Sequence, residues 1–389
     1  MHINKVSFQN FRNFGRLELK FNPGFIVLAG PNGMGKTNFL EGLYWGAVLR
    51  RFPGTKLGQL MRDNELFYKI NLQFHSKDEE ILEIVSEREG EKYSAQGRPA
   101  SGWKFTYRYN NLAVPRAKFA GHLPVISFLP EDLNLLGHSP AGRRRYLNET
   151  LSTTSAEYRR NLSEYEKTLK QRNELLQNLE SESNSGQDEI WNERLAEYGS
   201  LIIAERQKFL EFVKERFEAA TTALSPELTG SMIDYRFSGS PDRQGFLAEI
   251  SGLGAREKEA HGTLIGPHKD DFRLSWLDRE VIGYVSRGQL RSYTLALKIL
   301  EREYIKDKLS AQPVMLLDDV FSEFDEAHQR ALIDFLQTFD QVFLTTAHLK
   351  EVQPFLPVNS QVYNVNDGTI IPSPFPHFPP LEGEGLREG

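Results

Sequence analysis

The sequence predicts an α/β fold with mixed sheets, interrupted by a largely helical insertion. Strand-like patterns occur near both ends of the chain, and a glycine-rich turn directly follows an N-terminal strand. Between the strand-rich parts, apolar residues recur at spacings of three, four and seven, which is typical of helices. The 389 residues, with 39 % hydrophobic and 26 % charged content, are ordinary for a globular protein and sufficient for two lobes.

Composition excludes several classes of function. The chain has no cysteine, which rules out disulfides, thiol catalysis and cysteine-ligated metals and is compatible with a reducing cytoplasm. No apolar run approaches the roughly 20 residues of a membrane span, and the N-terminus resembles a strand rather than a signal peptide. We therefore expect a cytoplasmic protein without a membrane partner. The net charge of −6 means that any nucleic-acid binding depends on a local basic patch.

The strongest local signal is a phosphate-binding loop. Strand-like segments at Ile3–Phe8, Leu17–Phe21 and Phe25–Ala29 lead into the pattern Gly-x-x-x-x-Gly-Lys-Thr, and a helical pattern follows it. Backbone N–H groups of such a loop bind the phosphates of ATP, the lysine reaches the β- and γ-phosphates, and the threonine hydroxyl binds Mg²⁺. The predicted ATP-binding residues here are Gly30, Pro31, Asn32, Gly33, Met34, Gly35, Lys36, Thr37 and Asn38.

A pair of acids supplies the second part of the predicted site. The apolar run Val314–Leu317 ends in Asp318 and Asp319, which places both carboxylates at the edge of the sheet where ligands bind. We expect Asp318 to hold Mg²⁺ through water and Asp319 to orient the water that attacks ATP.

The segment before the acidic strand defines the subclass. Val285-Ser-Arg-Gly-Gln289 precedes a helical run, and taken alone it is typical of a helix cap. Between a phosphate-binding loop and an acidic strand, Ser286, Gly288 and Gln289 resemble the signature motif of ABC ATPases. That resemblance implies an ABC-type ATPase head in which the signature of one subunit covers the γ-phosphate bound to the other.

Two smaller features fit the same resemblance. Ser322–Asp325 is similar to the D-loop of ABC ATPases, and His348 follows a strand at Val342–Leu344 at the place of the switch histidine. Four residues, in three of the motifs, depart from the pattern. Arg287 stands where transporter signatures have glycine, Asp319 replaces a glutamate, and Glu131 and Asp132 occupy the stretch of the Q-loop glutamine.

The predicted organisation is an ATPase lobe I formed from both chain ends and a helical lobe II between them. Lobe I comprises residues 1–132 and 262–371, and lobe II comprises residues 133–261. Within lobe II, the periodicity predicts a short antiparallel hairpin over about residues 155–222. We expect the Pro/Gly-rich tail at 372–389 to be disordered.

Most of the chain resembles the RecF family of bacterial DNA-repair proteins, whose ATPase heads are similar to those of SMC proteins. The resemblance rests on Phe8–Phe14, on the loop Gly30–Glu41, on the segment Phe128–Asn148 and on Gly266–Asp271. It implies that Arg12 contacts nucleotide phosphates and that ATP joins two subunits into a clamp on single- and double-stranded DNA near their junctions. It further implies partnership with RecR, indirectly with RecO, in loading RecA at gaps, with slow hydrolysis releasing the clamp.

Contacts to DNA carry a weaker signal than the ATP site. The candidate arginines are Arg50, Arg51, Arg62, Arg143, Arg144 and Arg145. Two other functions stay open at this level, a transporter ATPase subunit and a non-catalytic, nucleotide-gated scaffold.

Overall fold

The computed structural model describes residues 1–88, 92–93, 99–100, 102–137, 139–177 and 185–373. The chain forms two compact units, unit 1 from Met1–Pro130 and Leu309–Gly389 and unit 2 from Glu131–Lys308. The first boundary differs from the expected one by two residues. The second differs by 47, because residues 262–308 belong to unit 2 and not to lobe I. The expected disordered tail lies outside the described residues, apart from its first two positions.

The elements follow one another along the chain in this order: β1 (His2–Phe11), β2 (Phe14–Lys20), β3 (Gly24–Ala29), α1 (Lys36–Val48), β4 (Phe67–His75), β5 (Glu79–Arg88), β6 (Lys92–Tyr93), β7 (Pro99–Ala100), β8 (Trp103–Tyr109), β9 (Leu112–Ala113), α2 (Arg116–Phe119), β10 (Val125–Phe128), α3 (Pro140–Thr154), α4 (Ala156–Gln177), α5 (Ser185–Leu224), β11 (Ser231–Arg236), α6 (Arg243–Gly252), α7 (Gly254–Glu259), β12 (Asp271–Trp276), β13 (Arg279–Glu280), α8 (Arg287–Leu309), β14 (Val314–Asp318), α9 (Glu326–Leu336), β15 (Gln341–Thr346), α10 (Leu349–Val352), β16 (Gln361–Asn366) and β17 (Thr369–Pro372). Among them, no helix combines the length and apolarity needed to cross a membrane.

Unit 1 contains two six-stranded sheets with α1 packed between them. One is antiparallel in the order β2-β1-β4-β5-β8-β9, and the other is mixed in the order β10-β14-β15-β3-β16-β17. Phe39 of α1 contacts Phe8 of β1 and Phe343 of β15, with ring centroids 5.5 and 6.1 Å apart. A side chain at Gly42 would meet the Phe8 ring at 2.3 Å, so glycine permits this close approach of helix and sheet.

The mixed sheet places the functional loops at one edge. Strands β10, β14, β15, β3 and β16 run parallel, and only β17 is antiparallel. Every residue of β14 and β15 is buried, as expected for parallel strands covered on both faces. Since parallel strands end at the same edge, the loop after β3 and the acids ending β14 become neighbours.

Unit 2 is built around α4, α5 and α8. Tyr158 contacts Arg206, and Arg172 donates to Asn192, so α4 and α5 run antiparallel as the periodicity predicts. Helix α8 buries Tyr293, Leu297 and related residues in this same core, which is the physical reason that residues 262–308 join unit 2. The segment joining α4 to α5 lies outside the described residues.

Candidate nucleotide-binding site

A cavity of about 360 Å³ lies at the edge of the mixed sheet in unit 1. The loop between β3 and α1 forms one wall, and positive φ angles of 83° at Gly33 and 109° at Gly35 give it a shape that favours glycine. The cavity is lined by Asn32, Gly33, Gly35, Lys36, Thr37, Asn38, Pro130, Asp318 and Asp319. The fold therefore brings Thr37 and Asp318, which lie 281 positions apart in the sequence, into one pocket.

Lys36 is the cation of this pocket. Its Nζ donates to the carbonyls of Gly30 and Pro31 at 2.6 and 3.0 Å and lies 3.3 Å from Asn32 Oδ1. Burial lowers the pKa of Lys36, and the charges of Asp319 and Asp318 oppose that shift. The ammonium is thus held over the loop, where it can reach phosphate oxygens beside the helix N-terminus.

The acid pair lies opposite the loop. The Thr37 hydroxyl contacts Asp318 at 3.0 Å to Oδ1 and 2.8 Å to Oδ2, and burial raises the Asp318 pKa. Oxygen atoms of carboxylates and hydroxyls are ligands that Mg²⁺ prefers, so these two residues fit the ion, and Mg²⁺ binding stays a prediction. Asp319 adopts a left-handed backbone with φ 49°, and its amide donates to the hydroxyl of Thr345.

Residues of two tight turns bind the phosphate-binding loop through the carbonyl of Met34. Asn13, in the turn between β1 and β2, donates from Nδ2 to the Met34 carbonyl at 3.1 Å and accepts from Asn38 at 2.9 Å. The Gly368 amide, in the turn between β16 and β17, also donates to the Met34 carbonyl, at 3.3 Å. A loop that directs its N–H groups at a ligand must satisfy its carbonyls elsewhere, and these two donors satisfy the carbonyl of Met34. Sequence reasoning missed Asn13, although it lies inside the quoted segment Phe8–Phe14.

Arg12 lies in the same turn, but it does not line the cavity. Its guanidinium forms an ion pair with the buried carboxylate of Glu41 on α1 and donates to Thr55 at 2.9 Å. The backbone of Arg12 is left-handed, with φ 53°. These bonds use Nε and Nη2 of the guanidinium, and contact of Arg12 with a nucleotide phosphate stays a prediction.

The signature residues belong to unit 2 and start α8. The Ser286 amide donates to Gln289 Oε1 at 2.9 Å, and the Gln289 amide donates to Ser286 Oγ at 3.2 Å. This reciprocal pair is a capping box, so the helix-cap interpretation describes the local structure. Ser286 is exposed, as a residue that covers another subunit's phosphate would have to be.

His348 and the D-loop-like segment stand at the ends of β15 and β14. The His348 side chain is exposed, and its amide donates to Thr346. The Ser322 hydroxyl donates to the Asp319 carbonyl at 3.3 Å. Asp325 caps α9, and the hydrogen bond from the His328 amide lowers the Asp325 pKa.

In unit 2, Asp132 is a buried ion-pair partner. Its carboxylate lies 2.9 Å from Arg145 and 3.8 Å from Lys298 of α8, whereas Glu131 is exposed. The Asp132 carboxylate is thus paired with cations of the same unit. One of them is Arg145, a predicted DNA contact, whose guanidinium already binds this carboxylate.

The arginines expected to contact DNA divide by exposure. Arg143 is buried and held by Asp271 at 2.6 Å, and this burial argues against its predicted contact with DNA. Arg144 is partly buried and donates to the Asp270 carbonyl. Arg51 and Arg62 of unit 1 are exposed, and Arg50 is partly so.

Together, a glycine loop at a helix N-terminus, a buried lysine and an acid pair at the end of a parallel strand define an ATP-binding head of the ABC type. The family model described as the RecF/RecN/SMC N-terminal domain matches residues 2–370. The chain belongs to this family and, within it, to the RecF group of proteins.

Curated relatives and solved structures agree with this assignment. The chain is 32 % identical over 384 residues to the DNA replication and repair protein RecF of Lacticaseibacillus casei, covering 95 % of this chain and 99 % of the relative. It is 32 % identical over 392 residues to RecF of Herpetosiphon aurantiacus, covering 96 % and 100 %. A structure of the recombination mediator protein RecF–ATP in the RecFOR pathway matches with a TM-score of 0.80 at 26 % identity, over 95 % and 97 % of the two chains. An SMC head bound to the C-terminal winged-helix domain of ScpA has a TM-score of 0.52 at 13 % identity, covering 96 % of this chain and 97 % of that one, which shows similarity of fold alone.

Proposed function

We propose that this protein is an ATP-dependent DNA-binding protein of recombinational repair and replication. The observation that carries the proposal is the pocket itself, in which Lys36, Thr37, Asp318 and Asp319 converge at one sheet edge. Relatives over almost the whole chain carry the name DNA replication and repair protein RecF. That similarity disfavours a transporter ATPase subunit.

ATP binding and hydrolysis are assigned to these residues. The loop amides and Lys36 bind the β- and γ-phosphates, and Thr37 with Asp318 holds Mg²⁺, which would neutralise charge developing on the phosphates. Asp319 orients the attacking water. Aspartate is shorter than the glutamate usual in ABC ATPases and lies farther from that water, so we expect slow turnover.

ATP is expected to join two copies of the chain. The N-terminus of α8 carries partial positive charge and attracts a γ-phosphate that it can face. Ser286, Gly288 and Gln289 would cover the nucleotide held by the partner's loop, and His348 would contact its γ-phosphate. Hydrolysis would then separate the subunits.

DNA is the proposed partner of the dimer. The exposed guanidiniums of Arg51 and Arg62 in unit 1 are the best candidates for phosphate contacts, and the partly buried Arg50 of unit 1 and Arg144 of unit 2 are weaker ones. Binding near junctions of single- and double-stranded DNA, partnership with RecR and indirectly RecO, loading of RecA and a cytoplasmic location remain part of this proposal.

Nucleotide-dependent binding to a gapped duplex tests the proposal. We expect tight binding with ATP and with a non-hydrolysable analogue, weak binding without nucleotide, and release over time only with ATP. Equal persistence with both nucleotides would favour the non-catalytic scaffold, and binding independent of nucleotide would refute the function.

Replacing arginines tests the DNA surface separately. Arg51→Gln and Arg62→Gln should weaken binding to all sequences and lower the salt dependence by about one charge each. The matched control is Arg330→Gln, because Arg330 is an exposed arginine of unit 1 paired only with its helix neighbour Glu326 in the described contacts. If the control weakens binding equally, Arg51 and Arg62 are not the contacts.

A further inference from the structure

We infer that Thr345 is a positioning residue for the acid pair, an inference that rests on the proposed ATP site. Its one hydroxyl orients the carboxylate of Asp318 and fixes the backbone of Asp319. No sequence motif marks Thr345, because this residue lies inside a buried strand.

The geometry makes the hydroxyl a bridge between the two acids. Thr345 is fully buried on β15, directly opposite Asp318 on the neighbouring strand β14. Its Oγ1 donates to Asp318 Oδ1 at 2.7 Å and accepts from the Asp319 amide at 2.9 Å. Because an ionised carboxylate only accepts and an amide only donates, the direction of both bonds is fixed.

The backbone at position 319 explains why such a bridge is needed. Asp319 has φ 49°, a left-handed conformation that is costly for residues other than glycine and best tolerated by Asn and Asp. Strained positions of this kind persist only where the surroundings hold them. The bond to Thr345 holds this one, and aspartate is among the residue types that tolerate it best.

The same bridge limits how Asp318 can turn. Its Oδ1 accepts from Thr345 at 2.7 Å, and the Thr37 hydroxyl lies 3.0 Å from Oδ1 and 2.8 Å from Oδ2. Removing the Thr345 hydroxyl leaves Asp318 with Thr37 as its remaining partner in the described contacts and leaves the partly buried Asp319 amide without its partner. Both acids therefore lose their fixed positions through a residue that lines no part of the cavity.

The test replaces Thr345 with valine, which keeps the shape and removes the hydroxyl, and with serine, which keeps the hydroxyl. The matched control is Thr221→Val, because Thr221 is an equally buried threonine whose hydroxyl bonds only helix carbonyls of unit 2 in the described contacts. Binding of a fluorescent ATP analogue is measured while Mg²⁺ is titrated, alongside hydrolysis and melting temperature.

We expect Thr345→Val to raise the half-saturating Mg²⁺ concentration about tenfold and to slow hydrolysis at saturating Mg²⁺ by a similar factor. Affinity for the analogue without Mg²⁺ should change less than about threefold, and Thr345→Ser should behave like the wild type. A valine variant that lowers only the melting temperature, as Thr221→Val does, would overturn the inference and leave the proposed function standing.

Two further outcomes are decisive. Wild-type protein that binds no nucleotide would refute the proposed function and the inference with it. If Thr345→Val does not fold, hydrogen exchange of the wild type decides, because the Asp319 amide should be protected like those of β14. An amide that exchanges as fast as an exposed loop would overturn the inference.

Discussion

Asp270 is the buried acid at the centre of unit 2, and its replacement by asparagine measures how that unit is held together. Its Oδ2 accepts from Arg206 at 2.7 Å and from the Tyr235 hydroxyl, and its Oδ1 accepts from the Ser238 amide at 2.7 Å. Asp270 and Arg206 are 0 % and 1 % exposed, so neither charge is screened by solvent.

Asparagine keeps the shape of Asp270 and removes its charge, which leaves the Arg206 guanidinium buried without its ion partner. Breaking a buried pair by removing one partner costs about 3–5 kcal/mol, which corresponds to about two to four decades in the unfolding equilibrium. Urea denaturation, monitored by fluorescence, should show that the free energy of unfolding of the variant is lower by this amount.

Asp234→Asn is the matched control for this experiment. Asp234 pairs with Lys214 in the same unit at 2.8 Å, but the two side chains are 46 % and 58 % exposed. Such surface pairs contribute about 0–1 kcal/mol. If Asp270→Asn destabilises the protein no more than Asp234→Asn does, the Arg206–Asp270 pair does not hold unit 2 together.

The remaining predictions concern the site and pH. Asp319→Asn should slow ATP hydrolysis at least tenfold and leave ATP affinity nearly unchanged, whereas Asp318→Asn should also weaken Mg²⁺-dependent binding; equal effects on both constants would remove the division of roles. Asn13→Ala should weaken binding of a fluorescent ATP analogue about tenfold, because the Met34 carbonyl loses a donor, while Asn71→Ala should not. Burial lowers the pKa of His268 to about 4, below the unfolded value of about 6.5, so its contribution to stability is full above pH 6.5 and is lost as the pH falls toward 4. His268→Gln should therefore flatten the fall in melting temperature between pH 7 and 4.5, and an unchanged slope would contradict this.

The parts of the site that lie in continuous motifs could be predicted from the sequence. The loop Gly30–Thr37 and the acids Asp318 and Asp319 carry their chemistry in a short pattern, and their strands are long apolar runs. Their convergence followed from the rule that parallel strands end at one sheet edge. The ion pair of Arg12 with Glu41 could not be predicted, because it depends on how a turn meets α1.

Two features of the chain depend on tertiary packing and could not be predicted from the sequence: the partners of the motif Gly266–Asp271, and the unit that residues 262–308 join. The motif Gly266–Asp271 has its physical explanation in packing, because Asp270 and Asp271 pair with Arg206 and Arg143. Packing also decides the boundary expected at residue 262, since the strands that follow it, β12 and β13, belong to a sheet in unit 2. Periodicity identifies strands but does not say which core they join.

The central claim is that two copies of the chain share each ATP site. Lys36→Ala should abolish ATP binding because the pocket loses its cation, and Ser286→Arg should block dimerisation but leave ATP binding by the single subunit. Neither variant alone should hydrolyse ATP.

Mixing the two variants tests this claim most directly. A mixed dimer contains one intact site, built from the loop of the Ser286→Arg protein and the signature of the Lys36→Ala protein. Hydrolysis should return on mixing, to at most about half of the wild-type rate per dimer if the sites act independently. Ser286→Arg protein that hydrolyses ATP at the wild-type rate as a monomer would contradict the shared site.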